Sequence, residues 1–251
     1  MRNDMMYKNP AFNEKMLEGM TAVSGEIMTV AGTLRKLGIS VLIMFLGAME
    51  IWSKQMAGFT DFVSTVTGIS LIAVLVIGFI IIFKRNSEVI KYLVPAYALG
   101  EGFLLGSISC TFENAFPGIV SQAIMGTILA VGIMLFLYYY GIIKVTDKLR
   151  SVIFGAITTI FGVYMIDLIM SLFNHPVPFI HSASPVGIVI SMVVIGILCF
   201  NLLIDFDFIE SMSNRLVPKH LEWYGAFGVL VSVVWLYLEI LQLLAKVYGR
   251  R

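Results

Sequence analysis

Charged residues are scarce in this chain of 251 residues, of which 13% are charged and 59% are hydrophobic. Soluble domains average roughly 25% charged residues, and a water-exposed surface needs more charge than this sequence supplies. The sequence therefore excludes a soluble single domain and indicates a protein embedded in lipid. The net charge of +1, without a block of Lys or Arg, also excludes the basic surface that nucleic-acid binding requires.

Cysteine and catalytic motifs are scarce as well. Cys110 and Cys199 both lie in apolar runs, without the paired spacing of a disulfide framework or a zinc site. The sequence has no HExxH, GxSxG or P-loop motif, and it does not arrange a nucleophile, a base and oxyanion donors together. We therefore expect no enzymatic activity and no tightly bound cofactor.

Long apolar runs dominate what is present. A helix that crosses a bilayer needs about 20 mostly apolar residues. Seven stretches meet this requirement: 37–56, 63–83, 92–111, 119–141, 151–173, 185–206 and 223–246. Short polar loops, several with Pro or Gly, separate them. The pattern predicts an all-α polytopic membrane protein, with an N-terminal segment at 1–36 and a seven-helix membrane domain at 37–251.

Basic residues favour one side of the predicted bundle. Of the 17 Lys and Arg residues, most fall in the N-terminal segment or in the loops on its side. Because cytoplasmic loops carry an excess of Lys and Arg, the N-terminus is expected to be cytoplasmic. An odd number of spans then places the C-terminus on the other side, unless the last segment is re-entrant, an alternative that Glu239 and the basic tail keep open.

Acidic side chains within the predicted spans are the candidate functional groups. Each costs roughly 2.5–3.5 kcal/mol to insert at a helix centre and therefore needs a reason. They are Glu50, Glu101, Asp167, Asp205 and Glu239, and no Lys or Arg lies in the middle of a span. Basic residues at span ends would have to extend their side chains to reach these acids. Acids without basic partners at the same depth favour protons or cations as ligands.

The last two spans concentrate this signal. Small or polar residues recur at helical spacing around Glu239, which predicts a helix in the centre of the bundle, and Asn201 lies one turn before Asp205. Two carboxyl groups brought together in low dielectric cannot both ionise cheaply, so a pair would share a proton near neutral pH. Gain or loss of that proton would gate a cation path, whereas simple packing of the two helices by hydrogen bonds is the alternative.

Calcium is the expected ion, since it takes oxygen ligands and the two carboxylates with Asn201 would supply them. The difference in depth between Asp205 and Glu239 argues against direct contact of their carboxyl groups. A turn near Pro218 leaves Asp205 and Glu239 eight residues, or about 12 Å, apart along the helices. Contact would require a turn nearer Trp223 or a kinked helix.

Glycines within the third span form a separate motif. Gly100, Gly102 and Gly106 give GxGxxxG, which differs from the dinucleotide-binding fingerprint and lies inside a membrane span. The spacing of Gly102 and Gly106 is that of GxxxG, which predicts close packing of this helix against a neighbour.

Several segments resemble one family. They are NLLIDFDFIE at 201–210, EWYGAFGVLVSVVWLYLEILQLL at 222–244, YALGEGFLLGSIS at 97–109, FPGIVSQAIMGT at 116–127, NPAFNEK at 9–15 and MTVAGTLRK at 28–36. The first two look like the last two helices of the Bax-inhibitor-1 family, also called the transmembrane Bax inhibitor motif family. The other four are similar to its longer bacterial branch.

This resemblance implies a bundle with a central last helix and a pH-sensitive calcium leak controlled by an acid on each of the last two helices. The family's "DF" step matches Asp205-Phe206, and its "LYLD" step ends at Glu239, where Glu replaces Asp. A basic residue at the end of the second helix pairs with these acids in the family. The resemblance thereby implies Arg85, or next Lys84, as a latch.

Three functional hypotheses follow. The first is a proton-regulated calcium leak of the bacterial inner membrane, with lipid, calcium and protons as its partners. The second is a non-conducting regulatory membrane protein that modulates membrane proteases or stress responses, with the N-terminal segment docking an unidentified membrane protein. The third is a small-solute or proton-coupled transporter that uses Glu101 and Asp167.

Overall fold

The computed structural model describes residues 26–173 and 184–250, and this part of the chain holds seven long helices. They are α1 (Val30–Met56), α2 (Thr60–Phe83), α3 (Ile90–Ala115), α4 (Ile119–Tyr139), α5 (Asp147–Leu172), α6 (Pro185–Asn214) and α7 (Leu221–Tyr248). All seven are long and apolar enough to cross a membrane. The predicted all-α, seven-helix integral membrane protein is confirmed.

The last helix lies at the centre of the bundle. α7 packs against α1, α3, α4 and α6, and α5 lies outside it against α6. The central helix is also the most buried one. In its most apolar stretch 50% of the residues are buried, whereas in that of α5 only 6% are. Leu230, Leu236 and Leu241 of α7 are fully enclosed. Side chains of α7 therefore meet neighbours on all sides, while the outer helices turn large apolar side chains toward lipid.

The first helix begins earlier than its apolar run predicts. Thr29 caps α1, since its hydroxyl oxygen accepts a hydrogen bond from the Gly32 amide at 2.9 Å. The predicted boundary between residues 36 and 37 thus falls inside α1. The first turns of α1 look polar in the sequence, but Thr33 is buried and the Lys36 ammonium is directed toward α7.

Two ends of the bundle can be defined from contacts of the chain. At one end, which we call the basic end, residues 26–28 pair with the α6–α7 loop. The amide of Met28 donates a hydrogen bond to the carbonyl oxygen of Val217 at 2.8 Å. The amide of Lys219 donates one to the carbonyl oxygen of Glu26 at 2.9 Å. At the opposite end, α7 finishes beside the start of α6. The described N-terminus and the end of α7 therefore lie on opposite sides.

The predicted GxxxG contact is confirmed between α3 and α1. A Cβ atom on Gly102 would lie 2.2 Å from the carbonyl oxygen of Met44, and one on Gly106 would lie 2.5 Å from that of Ala48. The backbones of the two helices approach each other too closely for any side chain at these positions. α3 is thereby held against α1, and both helices flank α7.

Candidate functional site

Asp205 joins α6 to α7 in the half of the bundle nearer the basic end. Its Oδ2 accepts a hydrogen bond from the Ser232 hydroxyl at 2.5 Å and another from the Asn201 amide at 3.3 Å. The same Asn201 amide donates to the Ser232 hydroxyl at 2.9 Å, which closes a three-membered network. The polar stripes of the last two helices therefore face each other, and the partner of Asp205 on α7 is Ser232.

A small cavity lies beside Asp205. It has a volume of about 180 Å³, and its lining consists of Asp205, Phe208, Tyr224, Gly225, Phe227 and Gly228. Gly228 of α7 borders open space, since a Cβ atom there would meet nothing within 4 Å. A cavity of this size with a carboxyl group in its wall can hold water molecules. The Asp205 carboxyl is therefore half-buried and still able to meet a proton or a small ion.

Glu239 occupies a different position on α7. Its Oε2 accepts a hydrogen bond from the hydroxyl of Tyr164 on α5 at 2.6 Å, and the residue is only 2% exposed. Its other oxygen, Oε1, is buried and has no hydrogen-bond partner among the described residues. Asp167, one turn further along α5, is also buried and interacts electrostatically with the same Tyr164 hydroxyl. This second acidic site joins α7 to α5.

The register of the last two helices separates the two acids. Asp205 pairs with Ser232, and Ser191 of α6 pairs with Lys246 of α7. Both pairs are centred between Pro218 and Lys219, where the chain turns. Glu239 therefore lies opposite Leu198 of α6 and two turns of α7 away from Ser232, or about 10 Å. The structure makes two sites from the two acids, and their carboxyl groups share no hydrogen bond.

The other predicted site residues are spread over the bundle. Lys84 and Arg85 are exposed after α2, and their side chains make no hydrogen bond or ion pair within residues 26–173 and 184–250. Glu50 lies on the surface of α1, with its carboxyl 3.7 Å from the Lys54 ammonium. Glu101 is buried in α3, where its carboxylate accepts a hydrogen bond from the hydroxyl of Tyr97 at 2.5 Å.

A buried ion pair at the basic end is absent from the sequence-based predictions. Glu222 is 1% exposed, and its carboxylate accepts hydrogen bonds from the Thr29 amide at 2.9 Å, the Thr29 hydroxyl at 3.0 Å and the Lys36 ammonium at 2.5 Å. Lys36 also lies 5.5 Å from the centre of the Trp223 ring. Glu222 and Lys36 both fall just outside the apolar runs at 37–56 and 223–246. A search for charged residues within those runs therefore misses this pair.

An arginine does pair with an acid of α6, but the arginine is not the predicted Arg85 and the acid is not Asp205. Arg150 at the start of α5 forms an ion pair with Asp207 of α6. One turn further, Glu210 accepts a hydrogen bond from the hydroxyl of Tyr138 at the end of α4. These contacts fix α6 to α4 and α5 at the basic end and leave Asp205 to face α7.

Seven apolar helices in the described residues, with the last of them at the centre and carboxyl groups enclosed between them, define a polytopic helical membrane protein with intramembrane acid sites. Residues 9–249 match a family model described as Bax inhibitor 1 like, and the chain belongs to that family. Comparison with curated proteins and with solved structures found no match.

Proposed function

We propose that this protein is a proton-regulated cation leak, with calcium as the permeant ion and with two successive acid sites, Asp205 between α6 and α7 and Glu239 between α7 and α5. A proton on either carboxyl group removes the negative charge that a cation would meet there. Protonation then closes the path by competition at two separate positions rather than by proton sharing within one pair.

The observation that carries the proposal is the environment of Asp205. Its carboxyl group lies between α6 and α7, faces a cavity, and hydrogen-bonds only to the neutral side chains of Asn201 and Ser232 in the described part of the chain. An ionisable group at membrane depth that lacks a basic partner indicates function more than structure. Carboxylate oxygens and water are also ligands that calcium takes in proteins.

A calcium leak requires weak rather than tight binding of the ion. The residues described in the structure contain no group of three or more His, Cys, Asp or Glu side chains that could hold a metal ion. A conducting path requires that an ion binds well enough to enter and loosely enough to leave. One carboxyl group at each of two levels, with a cavity large enough for water beside Asp205, meets that requirement for a slow leak.

The orientation of the path is part of the proposal. The basic end carries residues 26–28, the α2–α3 loop with Lys84 and Arg85, and the α6–α7 loop with Lys219. By the excess of Lys and Arg in cytoplasmic loops, this end faces the cytoplasm. Asp205 then belongs to the cytoplasmic half of the path, and Glu239 belongs to the outer half, in the inner membrane of a bacterium.

Calcium flux into proteoliposomes tests this function. For the native protein we expect flux that falls as the pH falls, by up to about tenfold per pH unit where one carboxyl group controls it. Asp205→Asn and Glu239→Gln should each reduce flux at mildly alkaline pH and weaken its pH dependence, because an amide neither ionises nor attracts a cation. Glu50→Gln is the matched control, since its acid is exposed on α1 and should leave the profile unchanged.

Two results would contradict the proposal. Flux that rises on acidification would show that the carboxylates are not cation ligands. An absence of flux at every pH, from protein shown to be folded, would favour the second hypothesis, a non-conducting regulatory membrane protein whose N-terminal segment docks a partner.

A further inference from the structure

Lys246 is a buried base in the last turn of α7, at the end opposite the basic end. It is 7% exposed, and its ammonium donates hydrogen bonds to the Ser191 hydroxyl at 2.7 Å and to the Gly187 carbonyl at 3.4 Å. Both acceptors are neutral groups at the start of α6. An ammonium enclosed among neutral groups is expensive unless an opposite charge compensates it. Its position therefore calls for an acidic partner.

The Glu239 carboxylate, in turn, has one oxygen without a hydrogen-bond donor in the described residues. Its Oε2 is satisfied by the Tyr164 hydroxyl, but Oε1 is buried and has no partner within the described residues. A buried carboxylate oxygen without a donor loses its hydration without replacement. An additional donor or cation at Oε1 would complete the site. Tyr164 cannot supply it, because its single hydroxyl proton is already directed to Oε2.

The geometry of α7 places the two groups on the same face of the helix. Lys246 follows Glu239 by seven residues, so both lie on one face, two turns or about 10 Å apart along the axis. The Lys246 ammonium is hydrogen-bonded to Ser191 and Gly187 of α6, so the two groups interact across these turns of α7 and not by direct contact. The charge of Glu239 acts on the Lys246 amine. Asp167 on α5 is the other acid near this face, through its interaction with Tyr164.

We infer that Lys246 is the internal counter-ion of Glu239 and competes with the permeating cation for that carboxyl group. In the state described here, the ammonium is held on α6 by Ser191 and Gly187 and compensates Glu239 from a distance. A cation that binds at Oε1 would meet the positive charge of this ammonium, so Lys246 opposes cation binding electrostatically while it stays on α6. The second half of this inference rests on the proposed leak function, whereas the first half does not.

A double-mutant cycle tests the counter-ion role independently of flux. Unfolding of the native protein, Lys246→Met, Glu239→Gln and the double variant would be measured in detergent micelles. Lys246→Met alone leaves Glu239 without compensation and should be the least stable, whereas the double variant should recover much of that loss. The expected coupling is about tenfold in the unfolding equilibrium constant. Lys246→Arg keeps the charge and should resemble the native protein.

The control cycle uses Lys54 and Glu50, an exposed pair at the surface of α1. It should show much weaker coupling, because solvent screens both charges. Additive effects of Lys246→Met and Glu239→Gln would overturn the counter-ion role, whatever the flux.

Calcium flux then tests the competition. Lys246→Met should raise flux several-fold over Lys246→Arg at neutral pH, because the competing positive charge is removed. Equal flux in these two variants, together with strong coupling in the unfolding cycle, would overturn competition. If the native protein conducts no calcium, the proposed leak function fails, and the unfolding cycle still decides whether Lys246 is the counter-ion.

Discussion

Replacement of Gly102 by alanine is expected to destabilise the bundle by at least about 3 kcal/mol, the upper part of the usual range for overpacking. The added Cβ would lie 2.2 Å from the carbonyl oxygen of Met44 and 3.0 Å from its carbonyl carbon. Both are backbone atoms of α1 that cannot rotate away, so α1 and α3 must move apart. Reversible unfolding in mixed micelles, or loss of folded protein in a thermal assay, would measure the effect.

Gly132→Ala in α4 is the matched control for this substitution. A Cβ at Gly132 meets nothing within 4 Å, so only the helix propensity changes, and alanine is favoured over glycine by about 1 kcal/mol. The two substitutions are chemically identical and should shift stability in opposite directions. Equal effects of Gly102→Ala and Gly132→Ala would show that α1 and α3 are not in backbone contact at Met44.

Glu222→Gln is expected to destabilise the protein by about 3–5 kcal/mol, the usual cost of leaving one partner of a buried ion pair alone. Lys36 is only 16% exposed in its side chain, so its ammonium would lose its only carboxylate partner in the described structure without regaining full hydration. The substitution would also weaken the contacts of Glu222 with Thr29, which fix the start of α1 to the start of α7. Unfolding in mixed micelles at neutral pH would measure it.

The control for this prediction is Glu50→Gln, which removes an exposed ion pair with Lys54 and should cost less than about 1 kcal/mol. A further substitution, Lys36→Met in the Glu222→Gln background, should recover part of the loss because no buried charge is left alone. A Glu222→Gln effect as small as that of Glu50→Gln would show that the pair does not hold the two helices together.

The fold was largely predictable because the bilayer imposes one requirement on every span. Apolar runs long enough to cross it located all seven helices, and the small and polar stripe around Glu239 predicted that α7 is central. The start of α1 was not located correctly. Thr33 and Lys36 look like residues of a polar segment, and their burial depends on Glu222, which lies 186 residues from Lys36 along the chain.

The candidate site was predictable only in part. The polar stripes indicated that α6 faces α7, and a turn near Pro218 implied the offset in depth that the pairing of Asp205 with Ser232 shows. The partner of Glu239 was not predictable, because Tyr164 belongs to α5, and helices distant in sequence have no spacing rule that aligns them. The sequence does not indicate the burial of Lys246, because a base near a span end is usually solvated.

Disulfide cross-linking tests the central claim, that Asp205 of α6 and Glu239 of α7 form two separate sites. In a background with Cys110→Ala and Cys199→Ala, the pair Asp205→Cys with Ser232→Cys should form a disulfide readily in membranes, since these side chains touch across α6 and α7. The pair Asp205→Cys with Glu239→Cys should not, because the sites are about 10 Å apart along the helix and a disulfide requires Cα atoms within about 7 Å. Efficient cross-linking of the second pair, with little of the first, would contradict the account.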